Sequence, residues 1–268
     1  MVYLEYKPKA PLAGWVKTFW YVRTPGIVST LQRVLPNGDT QIVINLAHAN
    51  CHGVLRSGER FLQAPSLLVG LQHGYQTIDL ADTEEMIGMV FTPGGQRRFF
   101  AEPATELCGE ETDLESVLGK DAATLRERLM EVSGPALKFA VMESFLRGRL
   151  GAAPLHPAVR SILTEIRRHA TACSLADASK ATGLSDRRVR DLFREEIGVS
   201  PKSFLRILRF QRAVQQLHQG TELPWAELAL ECGYYDQSHF ANEFYEFSGI
   251  SPTAYSRLER PWANHLVL

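Results

Sequence analysis

The sequence predicts an α+β chain in two parts. The first is a small β-barrel, cupin-like, with trailing helices; the second is an all-α domain carrying two helix-turn-helix motifs. Three observations predict this. Residues 2–100 alternate short apolar segments with turn residues. After Gly109 the apolar spacing lengthens to that of helices. The last part of the chain then repeats itself with an offset of 50 to 51 residues.

In the first part, apolar segments at 18–22, 41–46, 67–69, 77–80 and 86–91 are separated by turn signals. These signals are Pro36-Asn37-Gly38-Asp39, Arg56-Ser57-Gly58-Glu59 and Pro93-Gly94-Gly95. Many short strands with such punctuation suit a sandwich or a barrel. Helices are expected at 121–132 and 135–150, the second with Pro135 in its first turn. Leu137, Ala140, Val141, Phe145 and Leu150 are its expected apolar stripe. Gly151-Ala152-Ala153-Pro154 breaks that helix and serves as the linker. The expected domains are therefore 1–151 and 156–260. Beyond the linker come a helix at 156–169, the first helix-turn-helix, a connecting helix at 201–219, the second helix-turn-helix and a short tail.

The repeat aligns at four landmarks. Gly183, Phe193, Gly198 and Pro201 recur as Gly233, Phe244, Gly249 and Pro252. An extra residue in the second turn, Tyr234-Tyr235 against Leu184, accounts for the change of offset. Each copy has the helix, Gly-containing turn and second helix that place a recognition helix in the DNA major groove. The two recognition helices should lie about 34 Å apart, one turn of B-DNA.

A length of 268 residues, with 45% hydrophobic and 22% charged residues, suits a globular chain of two domains. No apolar run approaches the roughly 20 residues that span a bilayer, so no membrane partner is expected. The start, Met1-Val2-Tyr3-Leu4-Glu5, lacks the basic and apolar regions of a signal peptide, and the expected location is the cytoplasm. Cys51, Cys108, Cys173 and Cys232 are scattered, which argues against a disulfide framework or a zinc ribbon. The net charge of −1 hides a gradient. Residues 156–215 carry 12 Lys and Arg against 6 Asp and Glu, a net of +6, whereas residues 216–260 carry 2 against 7, a net of −5. Phosphate contacts favour the first unit.

Several residues together resemble one family. They are Gly183-Leu184-Ser185, Phe193, Gly198-Val199-Ser200-Pro201, Arg206 and Arg209 in the first copy and the connecting helix. In the second copy they are Cys232-Gly233-Tyr234, Asp236, Ser238-His239-Phe240, Gly249-Ile250-Ser251-Pro252 and Tyr255. Residues 156–258 resemble the DNA-binding domain of AraC/XylS-type transcription regulators. The first part, with Pro36 and Phe91-Thr92-Pro93-Gly94-Gly95, is similar to the β-rich sensor domain that some of these regulators carry. The resemblance implies a promoter-binding regulator, most often an activator. It also implies control by a small molecule or by dimerisation.

Within the first recognition helix, capped by Ser185, the residues Val189, Leu192 and Phe193 share an inward face. Arg187, Arg190, Asp191 and Arg194 share the outward one. The family's pattern makes Arg187, Arg190 and Asp191 base readers, since Arg can fork onto guanine and Asp can accept from cytosine N4. Arg188 is a candidate for phosphate. The second recognition helix buries Phe240, Phe244 and Phe247 and turns Gln237, Ser238, Ala241 and Asn242 outward. Gln237 and Asn242 can read adenine, although the family commonly has Arg at the place of Asn242. Glu243 and Glu246 flank them with no Lys or Arg nearby in sequence. His239 implies a structural or phosphate contact. Arg206, Arg209 and Arg212 on the connecting helix can touch phosphate or pair with Glu195 and Glu196; a scaffold role is expected of that helix.

No phosphate loop, nucleophile elbow or paired-carboxylate motif is present, so no catalysis and no cofactor are expected. His48, Cys51, His52 and His73 are the one cluster that suggests a metal. Because His48 and His52 fall in a polar turn without a carboxylate, no metal site is expected. Trp20, Arg33 and Phe91 are the candidates for an effector site. Expected partners are double-stranded promoter DNA, RNA polymerase, an unidentified small-molecule effector and a second copy of the chain. The alternative is a DNA-associated, cupin-like metalloenzyme fused to the same DNA reader.

Overall fold

Residues 2–24, 31–49, 51–55, 58–81, 83–151, 154–168, 175–221, 223–258 and 262–267 are described by a computed structural model. Parts of the expected 56–59 turn and 151–154 linker, and His169, lie outside them. The strands are β1 (Val2–Tyr6), β2 (Val16–Arg23), β3 (Leu31–Val34), β4 (Gln41–Asn45), β5 (Cys51–Val54), β6 (Arg60–Gln63), β7 (Ser66–Val69), β8 (Gln76–Asp79), β9 (Glu85–Phe91), β10 (Glu111–Asp113) and β11 (His265–Val267). The helices are α1 (Ala104–Leu107), α2 (Leu114–Leu118), α3 (Lys120–Glu131), α4 (Pro135–Arg149), α5 (Pro157–Arg168), α6 (Leu175–Lys180), α7 (Asp186–Ile197), α8 (Pro201–His218), α9 (Trp225–Glu231), α10 (Gln237–Ser248) and α11 (Pro252–Ser256).

Period-two burial builds the larger sheet. In β2, Phe19 and Tyr21 are buried while Trp20 and Val22 are half-exposed on the other face. The sheet is antiparallel in the order β1-β2-β9-β4-β7-β10. Its buried face carries Phe19, Ile42, Ile44, Leu68, Ile87, Met89 and Phe91 into one cluster with Leu114, Leu125, Leu129, Phe139, Met142 and Leu146 of α2, α3 and α4. The opposite face carries Trp20, Val22, Val43, Leu67 and Met86, all half-exposed. The Trp20 ring covers Gly88, where a Cβ would come within 2.3 Å of it. That close approach requires glycine.

The smaller sheet runs β11-β3-β8-β5-β6. Gln63 of β6 donates to the Glu111 carboxylate of β10, so the half-exposed face of the larger sheet looks towards the smaller one. Among the described residues no strand pairing joins the two sheets, so the expected closed barrel is instead a pair of facing sheets. The helix α4 also differs from expectation. Its fully buried residues are Phe139, Met142 and Leu146; of the expected stripe, Val141, Phe145 and Leu150 are partly buried against the same cluster, while Leu137 and Ala140 are exposed. Lys138 takes a further inward position, its Nζ 3.6 Å from Glu85 Oε1. The charged residue at an inward position obscured the stripe.

In the helical part, Ser185 and Asp236 accept from the backbone N–H groups of Arg188 and His239 and start α7 and α10. Gly198 and Gly249, at φ 102° and 72°, end them in the left-handed region that favours glycine. The same side-chain cap and first-turn proline, Ser200-Pro201 and Ser251-Pro252, then start α8 and α11. One hydrophobic cluster spans α5 to α11 and includes Leu35 and Leu71 from the β-rich part. The expected short tail instead returns as β11 and pairs with β3. Leu266 is buried there, and the Tyr255 hydroxyl donates to the Ala263 carbonyl at 2.7 Å.

Two predictions follow from this packing. Met142→Ala should cost about 2–5 kcal/mol in urea unfolding, while Leu137→Ala should stay within about 0.5 kcal/mol of wild type. Equal losses would restore the expected stripe. The second concerns His265, whose Nδ1 lies 3.0 Å from Gln32 Oε1 and whose pKa burial lowers below the ordinary 6.5. The unfolded chain binds this proton more readily, so the contribution of neutral His265 is complete above pH 6.5 and declines as pH falls from there. Compared with His265→Gln over pH 8 to 5, wild type should lose more stability; parallel profiles would refute the assignment.

Candidate nucleic-acid interface

The α7 helix is amphipathic in the way groove entry needs. Val189, Leu192 and Phe193 are buried, whereas Arg187, Arg188, Arg190, Asp191 and Arg194 are all exposed. Their mutual contacts are loose. Arg187 Nε is 4.0 Å from Asp191 Oδ2, and Arg190 Nε donates to the Asp186 carbonyl at 3.4 Å. Exposed pairs of this kind contribute little, so these side chains remain free to meet a ligand.

On α10, Gln237, Ser238, His239 and Asn242 are exposed over buried Phe240, Phe244 and Phe247, and Ala241 is half-buried. His239 is held by its surroundings. Its ring meets Tyr234 edge-on at 5.4 Å, its Nδ1 accepts from the Tyr235 N–H at 3.5 Å, and its Nε2 lies 3.8 Å from Glu243.

The acidic residues beside them are not bare, as the local sequence implied. Glu243 is 4% exposed and is gripped by two arginines of α8. Arg206 Nε lies 2.7 Å from one carboxylate oxygen, and Arg209 Nη2 lies 2.7 and 2.8 Å from both. Arg206 Nη2 also reaches Glu246 at 2.6 Å. Each guanidinium covers a ring, Arg206 over Phe247 and Arg209 over Tyr234 at 4.5 Å. The partners of Arg206 and Arg209 are therefore not Glu195 and Glu196. Glu195 faces Arg97 at 3.8 Å, and the Glu196 carboxylate accepts from the His156 N–H at 2.9 Å. A separation of 34 to 40 residues hid these pairs from local pattern. Arg212 lines a groove of about 320 Å³ with Arg167 and Gln215, between α5 and α8.

The three effector candidates are not brought together. Trp20 lies on the inter-sheet face. Phe91 is fully buried on the helix-covered face, its ring 5.6 Å from that of Phe99. Arg33 turns to the helical part, 4.5 Å above the Tyr75 ring and 3.4 Å from the Gly249 carbonyl. His73 Nε2 lies 3.2 Å from Cys108 Sγ, whose pKa burial pushes up to about 11. The Cys51 side chain lies outside the described residues. Among the described residues no three His, Cys, Asp or Glu side chains gather as a metal site. None of the described helices is long and apolar enough to cross a membrane.

Residues 178–258 match a helix-turn-helix domain family, and residues 4–113 match a domain of unknown function, DUF6597. The HTH-type transcriptional activator RhaR of Enterobacter sp. (strain 638) is 36% identical over 76 residues, 28% of this chain and 27% of its own length. RhaR of Klebsiella pneumoniae is 35% identical over 78 residues, 29% of this chain and 27% of its own length. The helical part carries an AraC-type helix-turn-helix domain. The AraC/XylS relationship lies in the helical part, and the chain spans about a quarter of the length of these curated relatives. Among solved structures, ToxT from Vibrio cholerae is 14% identical, covering 89% of this chain and 97% of its own with a TM-score of 0.47. The C-terminal domain of AraT from Geobacillus stearothermophilus is 27% identical over 41% of this chain and 93% of its own, with a TM-score of 0.37.

Removing the Glu243 charge leaves Arg209 without its carboxylate and Arg206 with Glu246 alone. Glu243→Gln should lower stability by about 1.5–3 kcal/mol, less than for a wholly buried pair because both arginines reach solvent. Urea midpoints of the single and paired variants check this. Additive losses for Glu243→Gln and Arg209→Met would show that the two do not act together.

Proposed function

We propose that this chain is a sequence-specific regulator of transcription that binds double-stranded promoter DNA, acts as an activator, and is governed through its β-rich part. The observation that carries the reading is the repeated presentation of a bare polar helix face. Both α7 and α10 bury aromatic residues on one side and leave their N-terminal polar residues unhindered on the other. That arrangement fits two successive major grooves.

In this reading Arg187 and Arg190 fork onto guanines and Asp191 accepts from cytosine. Arg188 and Arg194 meet phosphates. On α10, Gln237 and Asn242 read adenines, while Ser238 and His239 contact the backbone. Residues 156–260 form the reader, and residues 1–151 sense an effector or dimerise. The space between the two sheets, with Trp20 on its wall, is the effector site this reading favours, and Phe91 is set aside because it is sealed in the core. RhaR's description as an activator supports the direction of regulation, and RNA polymerase is the partner this reading gives an activator. A promoter-binding role sets its place of action in the cytoplasm.

The test is binding to an operator selected from random DNA. Arg187→Ala or Arg190→Ala should each cost about 1–3 kcal/mol on the selected site and relax base preference beneath α7. An equal loss on random DNA would assign those arginines to phosphate alone. Asn242→Arg adds one cation and should steepen the salt dependence of binding by about one unit. Weaker binding of that variant to the selected site would show that Asn242 itself reads a base.

A further inference from the structure

The β-rich part touches both recognition helices, and it does so at equivalent points of the repeat. At the end of α7, the Gln96 side chain, 1% exposed, donates from Nε2 to the Glu196 carbonyl at 3.0 Å. Next to it, a Cβ on Gly198 would come within 3.0 Å of the Ala104 carbonyl of α1. At the end of α10, the Tyr75 N–H donates to the Phe247 carbonyl at 3.0 Å, and Arg33 Nη1 donates to the Gly249 carbonyl at 3.4 Å. A Cβ on Gly249 would come within 2.6 Å of the Tyr75 ring. Gly198 and Gly249 are the paired helix-ending glycines of the two copies.

The chemistry at both points is the same. The last carbonyls of a helix lack intrahelical donors and carry partial negative charge. A buried amide satisfies one of them on α7; a backbone N–H and a guanidinium do so on α10. Because each helix is gripped at its C-terminal end, its N-terminal end points away from the β-rich part. That end carries Arg187, Arg188 and Arg190 on α7, and Gln237 and Ser238 on α10.

We infer that Gln96 and Arg33 are positioning residues for DNA reading: Gln96 sets the pose of α7 and Arg33, seated on Tyr75, sets the pose of α10, without either touching DNA. The inference rests on the proposed DNA-binding role. It assigns each recognition helix its own brace, so the two half-sites can be loosened separately.

The experiment uses the full chain and the operator it selects from random DNA, with two further operators in which one half-site is scrambled. Gln96→Met keeps nearly the same side-chain volume and removes the donor; Arg33→Met keeps the aliphatic stem and removes the guanidinium at a partly exposed position. Gln96→Met should shrink the penalty for scrambling the α7 half-site by about fivefold or more and leave the α10 penalty unchanged. Arg33→Met should do the reverse, and Arg33→Lys, which retains a donor, should recover part of the α10 penalty. Melting temperatures of the same samples separate this from general loosening, which would shrink both penalties together. Unchanged penalties, or penalties lost equally at both half-sites in each variant, would overturn the inference. A wild-type chain that selects no sequence would overturn the DNA-binding role itself.

Discussion

Burial of Phe210 on the connecting helix is the contact on which the helical part depends. Its ring lies 5.1 Å from Phe244 and 5.0 Å from Phe247, two of the three phenylalanines buried beneath the second recognition helix. Six residues earlier on the same helix, Phe204 meets Phe193 beneath the first, at 5.9 Å. A single helix of 18 residues therefore provides the packing surface for both readers. Neither unit can shift against it without opening a cavity in a core that is close-packed. This is why both copies keep an aromatic residue at the equivalent place, Phe193 and Phe244. The polar residues above them can vary because nothing in the core constrains their identity.

The outer face of that helix adds the electrostatic half of the same constraint. The second unit's net charge of −5 suggested a poor partner for DNA. Net charge over a sequence window is the wrong measure here, because Arg206 and Arg209 lie outside the window and directly on Glu243 and Glu246. Two charge-assisted, fork-like contacts neutralise the carboxylates nearest the reading face. What α10 presents to solvent beside Gln237 and Asn242 is a largely compensated surface. The repulsion that the local sequence implied for this face is thus largely cancelled from α8.

The parts legible in the sequence were those written in local spacing. The cap Ser185, the glycines at 198 and 249, and the buried Phe193 and Phe244 each have a local physical reason to be where they are, and the glycines and phenylalanines repeat at a fixed offset. Strands such as 86–91 were legible for the same reason, since period-two burial needs only neighbours. What escaped local pattern was long-range. The Arg206–Glu243 pair spans 37 residues, and β11 reaches back to a strand more than 200 residues earlier. The stripe of α4 was misplaced because Lys138 occupies an inward position that apolar counting passes over. The effector candidates were dispersed because strand parity, which decides the face, differs between Trp20 and Phe91 and could not be assigned without the pairing register.

That same parity ties the space between the sheets to one reader more than to the other. In β3, Gln32 and Arg33 are neighbours and so point to opposite faces. Arg33 holds the end of α10, while Gln32 meets His265 of the returning strand. Beside β8, Tyr75 holds α10 through its N–H, and the next residue, Gln76, bonds the Glu111 carboxylate between the sheets. Burial raises the pKa of that carboxylate, and the bonds from Gln63 and Gln76 oppose the rise. The brace of α7 is built elsewhere, from Gln96 and α1, neither of which belongs to the smaller sheet. The strands β3 and β8 therefore meet α10 directly, through the Arg33 side chain and the Tyr75 N–H, whereas the groups that hold α7 lie outside the smaller sheet. The end of α7 is thus held by the turn that follows β9 and by α1, and the end of α10 by the strands that wall the inter-sheet space.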